Sequence, residues 1–369
     1  MRTVRRPEAS ATIPSAPDHP RPPFINYQRG LLMRRLRQFA LAAAVTALGA
    51  AAVTGCSSAS SPPAGGGKLT IGVPGIPPVF VNLMFYVAQD KGYFASRGLH
   101  VRIRALSTGT DVGRAVQSGE LNAGMVGTTG AVALRSQGAS VVGILGAPNA
   151  DYLIASDDSA VTGCASLKGK TIGVDATAAP KALALGAMLS SCHLSTKDVT
   201  MVNLGGPQDV DALIAGQVKT AVLHTDELAA VLQHKHTVRS VLTSTTADPL
   251  EHYAMLITRQ NELTNARSRA ELVKTVAALH QAISYIDNPA NLTNVAATAA
   301  AMTKEPASVT AAAITAFVKI GFWPADDGLA ANRISHVITQ QVAAANISAT
   351  KAPTAAKLVD ATVFRDAVK

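Results

Sequence analysis

Apolar and polar positions fall into two alternating registers along this chain. Lys68–Val73 is a short apolar run that ends in Pro74-Gly75, as a buried strand does. From Asn82 to Ser96 the apolar residues Leu83, Phe85, Tyr86, Val87 and Phe94 recur at helical spacing, and Gly98 stops the run. Leu99, Val101, Ile103 and Ala105 then alternate with His100, Arg102 and Arg104, which predicts a half-buried strand near a sheet edge. Asp111 is placed to cap a helix running to Gln117, with Gly119 at its end. Ala123–Val126 predicts a strand, Gly127–Gly130 a loop, the residues to Gln137 a helix, and Val141–Leu145 another buried strand. Strands alternating with helices across short loops imply a parallel sheet covered by helices.

The pattern then restarts. Strands are expected at Thr171–Val174, Thr200–Leu204 and Ala221–Leu223, and helices at Pro180–Ser191, Asp209–Ala215 and Glu227–Gln233. Proline opens the first of these helices, where its missing N–H costs nothing. Tyr253–Ile257 is apolar and leads back towards the first unit, and from Arg269 to about Ala345 the chain reads as Ala-rich amphipathic helices. Two α/β units followed by a helical tail fit the 369-residue length, which suggests two domains of ordinary size.

The N-terminus has a different character. Residues 1–32 are rich in Pro, Ser and Arg without a period, and read as disordered or as a non-native extension upstream of Met33. Residues 33–55 read as a lipoprotein signal peptide. Arg34, Arg35 and Arg37 form its basic region, and Phe39–Ala52 is an apolar run shorter than the roughly 20 residues of a membrane-spanning helix. Val53-Thr54-Gly55-Cys56 looks like a bacterial lipobox, with the Cys56 thiol as the site of lipidation. Residues 56–67 form a flexible Ser/Pro/Gly tether. The alternatives are a plain transmembrane anchor or a cleaved secretory signal.

This division changes the meaning of the charge. The formal net charge of +9 invites a nucleic-acid partner. Eight of the 33 basic and two of the 24 acidic side chains precede Cys56, which leaves 25 basic against 22 acidic with no basic block. No nucleic-acid partner is expected. Three cysteines exclude a disulfide-dense scaffold and a multi-zinc protein. With Cys56 assigned to lipid, Cys164 and Cys192 remain. One lies before the strand at Thr171 and the other ends the helix after it, so the two thiols can meet in a compartment that permits a disulfide. The alternative is two buried free thiols.

Several chemical motifs fail. Gly163–Thr171 has five residues between its glycines instead of the four of a phosphate-binding loop, and it precedes a strand. H-E-x-x-H, C-x-x-C and G-x-S-x-G are absent. His234-Lys235-His236 has no acidic or Cys partner nearby in sequence and reads as a solvated helix end. No catalytic residue, metal or cofactor is expected.

A family resemblance rests on weak motifs in the right order. Ala88, Gly92-Tyr93-Phe94, Gly98-Leu99 and Val101 resemble the A-x-x-x-G-Y-F-x-x-x-G-L-x-V stretch of the nitrate, sulfonate and taurine solute-binding proteins, a group that includes thiamine-pyrimidine-precursor binders. Gly119–Gly124 resembles the G-x-x-D-x-G that follows, with Asn122 in place of Asp. Leu167–Val174 resembles the strand opening the second lobe, Gly216–Ala221 resembles G-x-V-D-A with Lys219 replacing the acid, and Leu358-Val359-Asp360 fits near the C-terminus. The resemblance covers roughly 68–369. It implies a mixed α/β, type II periplasmic-binding-protein fold with two α/β lobes, a hinge and a ligand cleft. Lobe 1 would be 68–150 plus 249–369, and lobe 2 would be 151–248.

The resemblance further implies a monomeric, exported, lipid-anchored receptor on the outer face of the cell membrane, handing a small solute to an ABC permease. A sulfonate- or nitrate-class oxyanion is the expected solute. A thiamine-pyrimidine-precursor binder is the alternative, although Asn82 stands where those proteins usually carry His. So is a fold-related enzyme of thiamine or menaquinone biosynthesis. A third reading is a surface sensor feeding a membrane kinase.

Ligands in open α/β sheets sit beyond the carboxyl ends of the strands, where helix N-termini suit anionic groups. Four loops qualify. They hold Pro78, Phe80 and Asn82; Thr108, Gly109 and Thr110; Thr128 and Thr129; and Asp175 and Thr177. Hydroxyls recur in the last three and can donate to oxyanion oxygens. Thr108 and Thr177 equally suit helix capping. His224 ends a strand at the same edge and joins the expected ligand contacts, or serves as a polar loop residue. Lys181 is the nearest cation. Trp323, the single tryptophan, is expected to pack in a core or between lobes.

Overall fold

The computed structural model describes residues 67–176, 180–205 and 208–369. Cys56, the leader before it and Thr177 lie outside them.

Among the described residues, ten strands form two five-stranded sheets of the same plan. The first sheet holds β1 (Gly67–Pro74), β2 (Leu99–Leu106), β3 (Ala123–Gly127), β4 (Val141–Ala147) and β10 (Ala254–Arg259), in the order β2-β1-β3-β10-β4. The second holds β5 (Tyr152–Ser156), β6 (Thr171–Val174), β7 (Thr200–Asn203), β8 (Thr220–His224) and β9 (Arg239–Thr243), in the order β7-β6-β8-β5-β9. β1 runs parallel to β2 and β3, and β6 runs parallel to β7 and β8. β10 and β5 each run antiparallel to both neighbours.

The purely parallel sheet expected from the βαβ pattern is therefore corrected. In each sheet the odd strand is the one the chain enters after crossing from the other sheet. The crossings are residues 148–151 and 248–253. β5 and β9 carried no clear signal because their neighbours are short and mixed in polarity, and their place is set by pairing.

The helices are α1 (Leu83–Asp90), α2 (Gly109–Ser118), α3 (Thr128–Ser136), α4 (Pro180–Ser190), α5 (Gln208–Ile214), α6 (Thr225–His234), α7 (Ser244–Ala247), α8 (Gln260–Thr264), α9 (Ala266–Asp287), α10 (Leu292–Thr303), α11 (Ala307–Lys319), α12 (Ala331–Ala343), α13 (Ala355–Leu358) and α14 (Thr362–Ala367). α1 is shorter than expected. Gly92 takes φ +69° and the Tyr93 amide turns back to Ala88, which ends the helix early. α2 is capped by Thr108, whose hydroxyl accepts from the Asp111 amide, so Asp111 sits inside the first turn and is not the cap. No described helix is long and apolar enough to cross a membrane.

Packing follows the sequence periods. Leu69, Ile71 and Val73 of β1 are buried, whereas edge strand β2 leaves His100 and Arg102 exposed and pairs Arg104 with Glu120. In α9, Leu272, Val276, Leu279, Ile283 and Ile286 repeat at helical spacing and face the main core. β4 ends its sheet, but Val359 bridges to Gly143 and the Asp360 amide donates to the Gly143 carbonyl, so this edge is covered. Gly146 is required: a Cβ there would stand 2.1 Å from the Gly328 carbonyl oxygen, and Gly328 itself holds φ +63°.

Cys164, before β6, is joined to Cys192, just past α4, with Cα atoms 6.0 Å apart. The unreduced protein is expected to show no free thiol at Cys164 or Cys192 by alkylation and mass measurement. Reduction of this 28-residue link should cost about 3 kcal/mol in urea unfolding. Two labelled cysteines would show that the link does not form.

Candidate functional site at the paired crossings

The carboxyl ends of β1, β2, β3, β6 and β8 and the two crossings come to one edge. The crossings lie side by side, because the Tyr253 amide donates to the Pro148 carbonyl at 3.1 Å. The Thr128 amide at the start of α3 donates to the Tyr253 carbonyl at 2.9 Å. Arg333 of α12 holds both segments. Its Nε donates to the Glu251 carbonyl at 2.6 Å, and its Nη2 donates to the Pro148 carbonyl and to Asn149 Oδ1, each at 3.0 Å.

His252 sits beneath this edge with a defined tautomer. Nε2 faces the Gly328 carbonyl at 2.7 Å, which can only accept, so Nε2 carries the proton. Nδ1 then accepts from the Thr128 hydroxyl at 2.7 Å. Burial pushes the His252 pKa down to about 4, and the nearby Arg333 charge adds to this.

Acidic groups crowd the second-sheet side. Asp151 is 7% exposed, and its Oδ2 holds His224 Nδ1 at 3.0 Å. Burial disfavours charge on His224, but Asp151, Glu227 and Asp226 outweigh it and push the pKa up to about 9, so the ring is charged at neutral pH. The His224 ring lies 4.5 Å from the Tyr152 ring. Burial, with Asp151 and Glu227 close by, raises Asp226 to about 6. Burial and Asp248 raise Glu251 to about 7. Tyr152 and Tyr253 are shifted upward by burial and by this same set of carboxylates.

The residues singled out from the sequence lie in different settings. Asn82 is fully buried: its Nδ2 donates to the Pro74 carbonyl at 3.0 Å and its Oδ1 has no partner. Thr128 is buried on His252, and His224 on Asp151, so both face the crossings. Pro78 is half-buried, Thr129 and Thr110 are exposed, and Gly109 opens α2 next to the Gly127 amide. Thr108 and Asp175 spend their oxygens on local backbone: Thr108 on Asp111, and Asp175 on the Ala176 and Lys181 amides at 2.9 and 3.3 Å. Phe80 is 4% exposed and stacks 5.0 Å from Phe317, within the core.

One expectation changes and one stands. Lys181 does not present a free cation, because its Nζ is held by Asp209 at 2.7 Å and by Glu227 at 2.7 and 2.6 Å. Trp323 packs between Phe317 and Phe322 at 5.6 and 5.2 Å, as expected for a core residue, with its Nε1 unpartnered. Asp151, Tyr152, Glu251, His252 and Tyr253 escaped notice in the sequence. Their only sign is a polar cluster directly before an apolar run. No group of three or more His, Cys, Asp or Glu among the described residues is arranged to hold a metal ion.

A family profile described as "NMT1/THI5 like" matches residues 80–291, more than half of the chain. The chain belongs to the NMT1/THI5-like family. No curated protein sequence matches it. Solved structures resemble this NMT1/THI5-like chain along most of its length. The alkanesulfonate-binding protein SsuA from Xanthomonas axonopodis pv. citri, bound to MOPS, is 16% identical with a TM-score of 0.57, over 80% of this chain and 100% of that one. The periplasmic nitrate-binding protein NrtA from Synechocystis PCC 6803 is 11% identical with a TM-score of 0.61, over 82% and 88%. A protein from Bordetella bronchiseptica RB50 is 21% identical with a TM-score of 0.58, over 81% and 96%. The NMT1/THI5-like chain therefore has the two-lobed type II periplasmic-binding-protein fold.

Two measurements test the electrostatics. Lys181→Met should destabilise the protein by about 3–5 kcal/mol in urea unfolding, since it strands two carboxylates, Asp209 being fully buried. A variant of normal stability would show the trio to be unimportant. His252, whose folded pKa is depressed, contributes stability that is complete above about pH 6.5 and is lost as pH falls towards 4. The stability advantage of the wild type over His252→Gln should shrink by up to about 3 kcal/mol across that window. A pH-independent difference would contradict the neutral, buried ring.

Proposed function

We propose that this protein is an extracytoplasmic solute-binding receptor of an ABC importer. The observation that carries the reading is the convergence of both sheets' carboxyl edges on two crossings that lie side by side in opposite directions, with a buried, unpartnered carboxylate oxygen on Asp151. Lobe 1 (68–150 plus 249–369) and lobe 2 (151–248) are the bodies that close on solute, by bending at 148–151 and 248–253. Cys56 takes the lipid and residues 56–67 tether a monomeric receptor to the outer face of the membrane, where a permease receives the solute. The named ligands of SsuA and NrtA, an alkanesulfonate and nitrate, support a small solute as cargo. They support the oxyanion class less well, since Lys181 is already neutralised by two carboxylates.

The proposal assigns binding and no catalysis. The decisive experiment is a thermal-shift screen of the full-length protein with sulfonates, nitrate, thiamine-pyrimidine precursors, amines and amino acids. At a hundred times Kd a bound solute stabilises by about 2.7 kcal/mol, and absence of a shift with every class would refute the receptor reading. For the anchor, Cys56→Ser should release the protein from the membrane fraction. Full retention of that variant on membranes would overturn lipidation.

A further inference from the structure

The receptor reading leaves the charge of the solute open, and the side chains at the crossings address it. Three carboxylates lie within electrostatic reach of that place: Asp151 on the first crossing, Glu251 on the second, and Asp226 in the first turn of α6. All three act on the Tyr253 phenol. The cations nearby are committed. His224 lies on Asp151 Oδ2, Lys181 lies on Asp209 and Glu227, and Arg333 grips the crossing backbone. Neither Asp226 nor Glu251 makes a side-chain ion pair among the described residues. Burial holds both upward, at about 6 and about 7, with other carboxylates adding to it and the charges of His224 and Arg333 opposing it.

An independent observation points to a ligand. Asp151 is more than nine-tenths buried, and Oδ1, the oxygen not used by His224, has no hydrogen-bond partner. Asn82 is fully buried and also leaves its acceptor Oδ1 empty, its amide nitrogen being spent on Pro74. Buried acceptors without donors cost free energy of the order of 1–3 kcal/mol each, and a ligand bearing N–H groups recovers it. Trp323 Nε1 asks for one neutral acceptor and leaves the charge balance unchanged. Tyr152 beside His224 and Tyr253 beside Phe322 add ring faces that attract cations.

We propose that the solute carries a positively charged nitrogen group, an ammonium or amidinium, seated against Asp151 and Asp226, with an apolar or planar body against the tyrosines. This rests on the receptor reading and specifies its substrate class. An oxyanion in the same place would meet three carboxylates with no free cation among the described residues.

A charge series of similar shape tests this on the full-length protein. Benzamidine, agmatine and choline are the cationic probes, benzamide the neutral one, and benzoate, benzenesulfonate and nitrate the anionic ones. Thermal shift is read at millimolar concentration and followed by calorimetry. At least one cation should stabilise the protein, while benzamide and the anions should not. Asp226→Asn should weaken that cation at least tenfold. Asp226 bonds no other described side chain and burial disfavours its charge, so the variant should melt no lower than the wild type without ligand. Lys219→Gln, on the loop before β8, should leave affinity unchanged.

Stabilisation by anions with none by cations overturns the charge assignment and leaves the receptor reading standing. No stabilisation by the cationic probes, with a shift from another class in the wider screen, overturns it in the same way. No stabilisation by any class overturns both. Cation binding that Asp226→Asn does not alter places the cation elsewhere and also overturns the assignment.

Discussion

The structure depends on one constraint: the chain passes between its two sheets twice, and the two passages must lie side by side. The Tyr253 amide on the Pro148 carbonyl enforces this, and Arg333 clips both passages from α12. Each passage delivers a strand into the middle of the next sheet, antiparallel to its neighbours. The direction follows from the entry point. A chain arriving at the carboxyl edge of a parallel sheet can only run back along it. The start of β5, the start of β10 and the carboxyl ends of the parallel strands therefore share one edge, and every side chain of the candidate site hangs from that edge.

The same constraint sets the electrostatics. Backbone polar groups at the passages are paired with one another, with Thr225 and with Arg333, so they are buried without cost. The side chains are not so balanced. His252 is neutral because burial, helped by the Arg333 charge, outweighs its bond to the Gly328 carbonyl. His224, one strand end away, is charged because Asp151 touches it. Two histidines near the same hinge thus shift in opposite directions, because carboxylates outweigh burial at His224 and burial prevails at His252.

The family assignment and the geometry carry different weight. Membership of the NMT1/THI5-like family accounts for the fold and the order of the weak motifs. It does not choose among solutes, since relatives of this fold with named ligands bind alkanesulfonate or nitrate at 11–16% identity. The side chains at the crossings differ from what an oxyanion needs. Charge complementarity is the property that discriminates most strongly between ligands of similar size.

Much of the fold was legible in the chain itself. Period-two and helical repeats located β1, β2, β3, β4, β6, β7 and β8 and the helices between them, because burial of one face leaves its period in the sequence. The exposed arginines of β2 marked an edge, and the C-terminal helices declared themselves through alanine-rich stripes. Topology singled out the loops at the strand ends, and of their residues Thr128 and His224 touch the crossings, while Asn82 is bonded to the end of β1. Partners were not legible. Lys181 reads as a free cation until Asp209 and Glu227, 28 and 46 residues away, close on it. Asp175 reads as a ligand contact until its oxygens turn to its own loop. β10 reads as an apolar run of no stated direction, and β5 carries no clear signal. Local sequence determined which segments form elements and which face each buries. Only the tertiary structure decided which charges meet, because ion pairs and antiparallel insertions join residues distant in the chain and leave no period to read.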